Sequence, residues 1–217
     1  TKELKSAVDE ALVIAEASNF VKRLVNSPAN IINPKTLAEE AVRVAKKNRY
    51  KKVVLGDKQL KKLGCGGILA VNSGSDQEAK MIVLEHNGGK RGEKPIVLVG
   101  KGVIFDTGGY NLKPTGSMET MQQDMAGGAT VLGVFHALKS LGIKRNVVAV
   151  VPVVQNMVNE HAYRPSDVIT MYSGKTVEVT NTDAEGRMIL ADALHYASQL
   201  KPEFIVTIAT LTGAVGV

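Results

Sequence analysis

Four acidic residues lie in three short segments that are otherwise apolar or rich in glycine. Asp106 ends an apolar run and precedes a glycine pair, and Asp124 is followed by small residues. Asp183 and Glu185 are two positions apart, between an apparent strand at 176–180 and a helix. Because side chains in an extended segment alternate in direction, we expect Asp183 and Glu185 to point toward the same site.

If all four acids share one site, they need compensating positive charge, since neighbouring buried carboxylates cannot all stay ionised without it. Two divalent cations would balance the four charges. Oxygen ligands suit Mg²⁺ and Mn²⁺, and one nitrogen ligand would make Zn²⁺ or Co²⁺ acceptable too. Paired metal ions lower the pKa of a shared water and polarise a carbonyl group, which is hydrolase chemistry. A phosphoesterase could use the same carboxylates, so the residues leave the substrate class open.

Several other catalytic motifs are missing from the sequence. The segment Gly174-Lys175-Thr176 resembles the end of a phosphate-binding loop, but Ile169 stands where the leading glycine is required. The third glycine of a dinucleotide-binding fingerprint does not follow Gly100-Lys101-Gly102. The four histidines lack metal-protease spacing, and there is no nucleophile-elbow serine. We therefore exclude these classes of site.

The acids lie among alternating helical and extended patterns. Helical spacing of apolar residues predicts helices at 2–26, 36–47, within 118–141 and at about 187–200. Short apolar runs predict strands at 53–55, 68–71, 81–84, 96–99, 146–154 and 204–208, of which the last two should be buried. Strands alternating with helices are typical of α/β proteins, so we predict a sheet between two helical layers.

The composition is that of a globular chain without a membrane span. Of the 217 residues, 44% are apolar and 22% are charged, which is too apolar for a disordered chain. No apolar run approaches the roughly 18 residues that cross a bilayer. A single cysteine, Cys65, allows no internal disulfide and favours a reducing compartment, so we expect a cytoplasmic protein with a small buried thiol.

Much of the net charge of +6 lies at 46–62, where eight basic residues accompany a single acid. Such a segment could attract nucleic acid or another polyanion. Only 4% of the residues are aromatic, so there is little to stack on bases. We therefore interpret the segment as a solvated basic face and do not expect nucleic acid as a partner.

Four collinear motifs resemble those of the leucine aminopeptidase family, also called cytosol aminopeptidases. They are VGKGVIFDTGG at 99–109, LKP at 112–114, NTDAEGR at 181–187 and ATLTGA at 209–214. The resemblance implies a zinc-peptidase-like catalytic domain, with a mixed β-sheet sandwiched between helices. It assigns 1–33 to a linker helix and the start of the catalytic domain, and 34–217 to the catalytic domain. Relative to the family, we expect the N-terminal domain and the C-terminal end of the catalytic domain to be absent.

The resemblance also implies roles for individual residues. Five would bind two metal ions: Lys101, Asp106, Asp124, Asp183 and Glu185. Lys101 would bind through a neutral amine, which requires its pKa to be depressed by burial beside a metal. Two further residues would act on the substrate: Lys113 would hold the scissile carbonyl, and Arg187 would hold a bicarbonate ion that carries a proton.

The same resemblance predicts the substrate and the assembly. Met121, Asn181 and Thr210 match positions that line the pocket for the first side chain, and Leu211 matches a backbone contact to the substrate. Substrates would be peptides with leucine or another apolar residue first, and the intact protein would be a homo-hexamer. Three alternatives stay open: another two-metal hydrolase, a scaffold that binds polyanions through 46–62, and a chain that is inactive by itself.

Overall fold

The computed structural model describes residues 1–216 and contains six α-helices in that range. A capping box formed by Asn33 and Thr36 starts the second helix, and the αL residue Arg49 ends it. The helices are α1 Lys2–Asn26, α2 Pro34–Asn48, α3 Asp57–Leu63, α4 Gly66–Val71, α5 Ala126–Ala137 and α6 Glu185–Gln199. Of these, α1 has the bounds that the sequence predicts.

The same residues contain eight strands in two sheets. They are β1 Lys51–Leu55, β2 Lys80–Asn87, β3 Ile96–Gly100, β4 Gly102–Asp106, β5 Asn146–Asn156, β6 Val168–Thr170, β7 Thr176–Glu178 and β8 Phe204–Ile208. The main sheet has the order β1-β2-β5-β3-β8, and β6 pairs with β7 in a small antiparallel sheet. Within the main sheet β3 and β4 lie end to end along one edge of β5, both parallel to it, while β2 runs antiparallel along the other edge.

The two faces of the main sheet carry two separate apolar clusters. Alternate residues of β5 point to opposite faces, so that Ala149 and Val151 join one cluster and Val150 and Val154 join the other. The first cluster also contains residues of α1, α2 and α5, and the second contains residues of α4 and α6. This is the predicted α/β architecture, a mixed sheet sandwiched between helices. The prediction that β5 is buried on both faces is confirmed.

Two predictions of local structure are wrong, and a third is confirmed. The run 68–71 is the helix α4, because the buried carboxylate of Asp192 accepts a hydrogen bond from the Ile68 amide at its first turn. The helix predicted within 118–141 is confirmed as α5, which follows a 3₁₀ turn at Met121–Met125. Strand β8 is largely exposed, with Phe204 47% accessible, because it lies at an edge of the main sheet and pairs with β3.

The basic segment lies on the outside of the protein, as predicted. All eight of its basic side chains are exposed: Lys46, Lys47, Arg49, Lys51, Lys52, Lys58, Lys61 and Lys62. Cys65 is fully buried, and burial raises the pKa of its thiol to about 12. Among residues 1–216, no helix combines the length and the apolar character needed to cross a membrane.

Candidate metal centre

The predicted acids meet at the carboxyl ends of the parallel strands. Lys101 joins β3 to β4, and Asp106 is the last residue of β4. The 3₁₀ turn Met121–Met125 carries Asp124, and α6 begins with Glu185. In open α/β sheets, loops at the carboxyl ends of strands form the crevice in which ligands bind.

The ammonium group of Lys101 bridges two buried carboxylates. Its Nζ atom lies 2.8 Å from Oδ1 of Asp124 and 2.8 Å from Oε1 of Glu185. It also donates a hydrogen bond to the carbonyl of Thr210 at 2.7 Å. Gly186 lets this arrangement form, because a Cβ atom there would lie 2.8 Å from Cε of Lys101. A larger residue at 186 would therefore displace the ammonium group.

A second lysine bridges the other two acids. Nζ of Lys113 lies 2.9 Å from Oδ2 of Asp106 and 2.6 Å from Oδ1 of Asp183. The turn that follows β4 makes this contact possible, since Gly108 and Gly109 both have positive φ angles. Each lysine therefore neutralises part of the charge of one carboxylate pair. From the sequence, metal ions alone were expected to provide this compensating charge.

Burial raises the pKa values of Glu185, Asp124 and Asp183. Burial, together with the charge of Asp106, raises the pKa of Glu185 to about 7. It also raises the pKa of Asp124 and Asp183, although the neighbouring lysines oppose the change. Burial favours a lower pKa for Lys101, but Glu185 and Asp124 outweigh it and raise the pKa. The pKa of Lys101 is raised in the metal-free protein. A neutral amine at Lys101 in a metal-loaded site therefore stays a prediction.

Three observations fit a cation at this position. Asp106, Asp124 and Glu185 each place one carboxylate oxygen within 4.8 Å of the others. The Oδ2 atom of Asp124 is buried and has no hydrogen-bond partner among the described residues. With all groups ionised, four carboxylates and two lysines leave a formal charge of −2. Oxygen donors, an unpartnered oxygen and excess negative charge together suit a divalent ion.

A cavity of about 490 Å³ opens above this cluster. Its lining includes all eleven residues that the sequence analysis singled out: Lys101, Asp106, Lys113, Met121, Asp124, Asn181, Asp183, Glu185, Arg187, Thr210 and Leu211. The structure thus brings every predicted site residue to one place. Proximity does not by itself assign their roles, which stay predictions.

Three of the lining residues have side-chain surroundings that bear on their predicted roles. The hydroxyl of Thr210 donates to Oδ1 of Asp124 at 2.7 Å, so this side chain supports a predicted metal ligand as well as lining the cavity. The Asn181 side chain accepts a hydrogen bond from the Asp183 amide at 2.8 Å and so caps the turn. Arg187 is exposed and has no carboxylate partner within residues 1–216.

The predicted reason why Asp183 and Glu185 converge is wrong. We expected an extended backbone, in which residues two apart point the same way. Instead Thr182–Ala184 is a 3₁₀ turn and Glu185 begins α6. Asp183 is therefore partly exposed at the cavity rim, beside Lys113, whereas Glu185 is buried beside Lys101. The two acids reach one cavity, but they pair with different lysines.

Two polar residues beneath the site were not predicted from the sequence. Asn156 donates to Oδ1 of Asp106 at 2.8 Å and to the carbonyl of Thr182 at 3.0 Å. Tyr163 donates its hydroxyl to the same Thr182 carbonyl at 2.6 Å. The sequence contains one signal for Asn156, which is the polar residue that ends the long apolar strand β5. Asp106 ends β4 in the same way.

Comparisons with known proteins identify the family. The family model for the cytosol aminopeptidase family, catalytic domain, matches residues 19–217. A protein named probable cytosol aminopeptidase from Nitrosospira multiformis is 48% identical over 99% of this chain and 42% of its own length. Proteins of the same name from Brucella melitensis and Cenarchaeum symbiosum are 48% and 47% identical, over 99% and 96% of this chain and 44% and 43% of their own lengths.

The chain therefore spans less than half the length of these curated relatives. The matched region nevertheless includes every residue of the metal-binding candidate cluster and of the cavity above it. On the strength of the family match and of these relatives, the chain belongs to the cytosol aminopeptidase family and contains sequence of its catalytic domain.

Proposed function

We propose that this chain carries the active site of an aminopeptidase that uses two divalent ions to remove N-terminal residues from peptides. The observation that carries the proposal is the buried oxygen cluster of Asp106, Asp124 and Glu185, in which Oδ2 of Asp124 has no partner. The family match supports the reaction class. A preference for leucine or another apolar first residue is part of the proposal.

Five residues would hold the two ions: Lys101, Asp106, Asp124, Asp183 and Glu185. Zn²⁺ or Mn²⁺ are the proposed ions, with Mg²⁺ and Co²⁺ as alternatives, because the donors are carboxylates and one amine. Such ions supply positive charge that polarises a carbonyl group and lowers the pKa of a water molecule. Lys101 can donate an electron pair only after its ammonium group loses a proton.

Lys113 is the proposed group that binds the scissile carbonyl. An ammonium group has three donors, and Asp106 and Asp183 accept two of those from Lys113. The third donor is available to a carbonyl oxygen in the cavity. The hydrogen bonds and negative charges of Asp183 and Asp106 outweigh burial and raise the pKa of Lys113, so it stays protonated at neutral pH. A fixed positive charge here would stabilise the negative charge that develops on that oxygen.

Arg187 is the proposed holder of a bicarbonate ion. Its side chain lines the cavity and has no carboxylate partner within the described part of the chain. The guanidinium group presents parallel donors that match a planar oxyanion. Bicarbonate held there would supply a proton acceptor and donor. None of the described residues that line the cavity is a histidine that could supply them instead.

The remaining lining residues are proposed to bind the peptide. Met121 and Leu211 contribute apolar side chains to the cavity lining, which supports a preference for an apolar first side chain. Asn181 and Thr210 line the same pocket, and the backbone of Leu211 is the proposed contact to the substrate main chain. We further propose that the intact protein is a cytoplasmic homo-hexamer, on the basis of the family resemblance.

The experiment compares two substrates in the presence of added Zn²⁺ or Mn²⁺. The chain should release nitroaniline from leucine p-nitroanilide and should not hydrolyse p-nitrophenyl phosphate. Asp183→Asn should lower kcat/KM at least about tenfold, because it removes the negative charge of a proposed metal ligand that also pairs with Lys113. Asp9→Asn, an exposed position on α1, is the matched control and should leave kcat/KM unchanged.

Other outcomes would replace the proposal. Phosphate-ester turnover that falls in Asp183→Asn would indicate a different two-metal hydrolase. Absence of turnover together with salt-sensitive binding of heparin, unchanged in Asp183→Asn, would favour a polyanion-binding role for the exposed basic segment 46–62. Leucine p-nitroanilide turnover that Asp183→Asn leaves intact would contradict the proposed ligand set.

A further inference from the structure

Asn156 lies beside the carboxylate that ends strand β4. Strands β4 and β5 are parallel, and Asp106 is the register partner of Asn156 at their carboxyl ends. The register between these strands shifts between Val103 and Asp106. Such irregularities change the direction in which a side chain points and often occur next to functional sites. The geometry of the strands therefore places a carboxamide against a carboxylate.

The orientation of the Asn156 amide is fixed by its neighbours. Its Nδ2 atom donates to Oδ1 of Asp106 at 2.8 Å and to the carbonyl oxygen of Thr182 at 3.0 Å. Both neighbours are acceptors, so the amide group must face them with its nitrogen. The side chain is fully buried, and its Oδ1 atom has no partner among the described residues. Because an unpaired buried oxygen costs free energy, the two hydrogen bonds that Nδ2 donates must offset that cost.

The two carboxylate oxygens of Asp106 have different partners. Oδ1 accepts hydrogen bonds from Asn156 and, at 2.9 Å, from the Gly108 amide. Oδ2 faces the ammonium group of Lys113, which lines the cavity. With Oδ1 held from behind by two donors, Asp106 cannot rotate without losing both hydrogen bonds.

We propose that Asn156 is a positioning residue, which holds Oδ1 of Asp106 so that Oδ2 faces the metal-binding cavity. The inference rests on the proposed function, because it concerns the affinity of the site for a divalent ion. Residues that orient metal ligands in this way usually change metal affinity 10- to 100-fold when they are replaced. Asn156 is not among the residues that line the cavity, and it acts through Asp106, which is.

A neighbouring residue provides a matched control. Tyr163 donates its hydroxyl to the Thr182 carbonyl at 2.6 Å, the same acceptor that Asn156 uses, and none of its hydrogen bonds reaches Asp106. Both side chains are buried, and removal of either one takes a donor from Thr182. Only removal of Asn156 takes a donor from a proposed metal ligand. Comparison of Asn156→Leu with Tyr163→Phe therefore distinguishes the effect of losing the hydrogen bond to Asp106 from the effect of losing a hydrogen bond to Thr182.

The experiment measures the dissociation constant for Zn²⁺ by competition with a chromogenic chelator. Asn156→Leu keeps a branched side chain of similar size and should bind Zn²⁺ 10- to 100-fold more weakly than the unmodified chain. Tyr163→Phe should stay within about threefold of it. Urea unfolding of each metal-free variant tests whether the variant is folded before its Zn²⁺ affinity is compared. Asn156→Ala, which removes the same donors, replaces the leucine variant if that one does not fold.

The possible outcomes distinguish this inference from the proposed function. Zn²⁺ affinity that is unchanged in the Asn156 variant would overturn the positioning role and leave the metal site in place. Equal weakening in Asn156→Leu and Tyr163→Phe would assign the effect to Thr182 and would also overturn it. An unmodified chain that binds no Zn²⁺ would overturn the proposed metal site itself.

Discussion

Without metal, the ionisation of Glu185 should destabilise the folded protein. Its pKa is about 7 in the folded state, compared with 4.5 for an ordinary glutamate, chiefly because the side chain is buried. A carboxyl group whose pKa is raised by folding favours the folded state at low pH. That contribution is fully present below pH 4.5 and is lost as the pH rises through about 7. The metal-free protein should therefore become less stable over this interval.

The size of the effect follows from the same values. Each pH unit between the two pKa values is worth about 1.4 kcal/mol, so ionisation of Glu185 costs the folded state on the order of 3 kcal/mol. Glu185→Gln keeps the shape of the side chain and removes the charge. At pH 8, with a chelator present, Glu185→Gln should therefore be more stable than the unmodified chain by about 3 kcal/mol, and near pH 4 the difference should vanish.

The assay is urea unfolding at several pH values between 4 and 8, in the presence of EDTA. Glu10→Gln is the control, because Glu10 is an exposed glutamate on α1 whose replacement should leave the pH dependence unchanged. Asp124 and Asp183 also have raised pKa values, so some pH dependence should remain in Glu185→Gln. Parallel curves for Glu185→Gln and the unmodified chain would show that ionisation of Glu185 does not destabilise the folded protein.

Two further predictions concern packing. Gly186→Ala should lower the free energy of unfolding of the metal-free protein by about 1 kcal/mol in urea unfolding, because the loss of a charged hydrogen bond at Lys101 exceeds the helix-propensity gain of alanine. A more stable Gly186→Ala protein would show that the Lys101 contacts contribute little. Leu24→Ala should cost about 2–5 kcal/mol because Leu24 is fully buried, whereas Leu4→Ala on the exposed part of α1 should change stability by under about 0.5 kcal/mol. Equal losses would show that α1 packs differently.

The layered fold was predictable because its main elements carry strong local signals. Helix α1 and strand β5 have long, regular apolar patterns, and both were found where the pattern indicates them. The four apolar residues at 68–71 were too few to distinguish a strand from a helix. Asp192 stabilises the helical form from 124 positions further along the chain, a contact that no local pattern contains. The exposure of β8 likewise depends on strand order, which the sequence does not reveal.

The candidate site was predictable in its membership but not in its contacts. Unusual acids beside glycines, together with the family motifs, indicated Asp106, Asp124, Asp183 and Glu185. Lys113 pairs with Asp183, and Lys101 pairs with Glu185. Both pairings depend on the 3₁₀ turn at Thr182–Ala184, where an extended segment was predicted. Asn156 was missed because a single polar residue at a strand end is common, and only the strand register shows its contact with Asp106.

The proposed function requires the buried acid cluster to bind a pair of divalent ions. The most direct measurement is anomalous X-ray scattering from crystals of this chain grown with Zn²⁺. We expect two zinc peaks in the cavity, in contact with the carboxylates of Asp106, Asp124 and Glu185. A map without zinc peaks there, in which Lys101 and Lys113 still bridge the four acids, would contradict the proposed function.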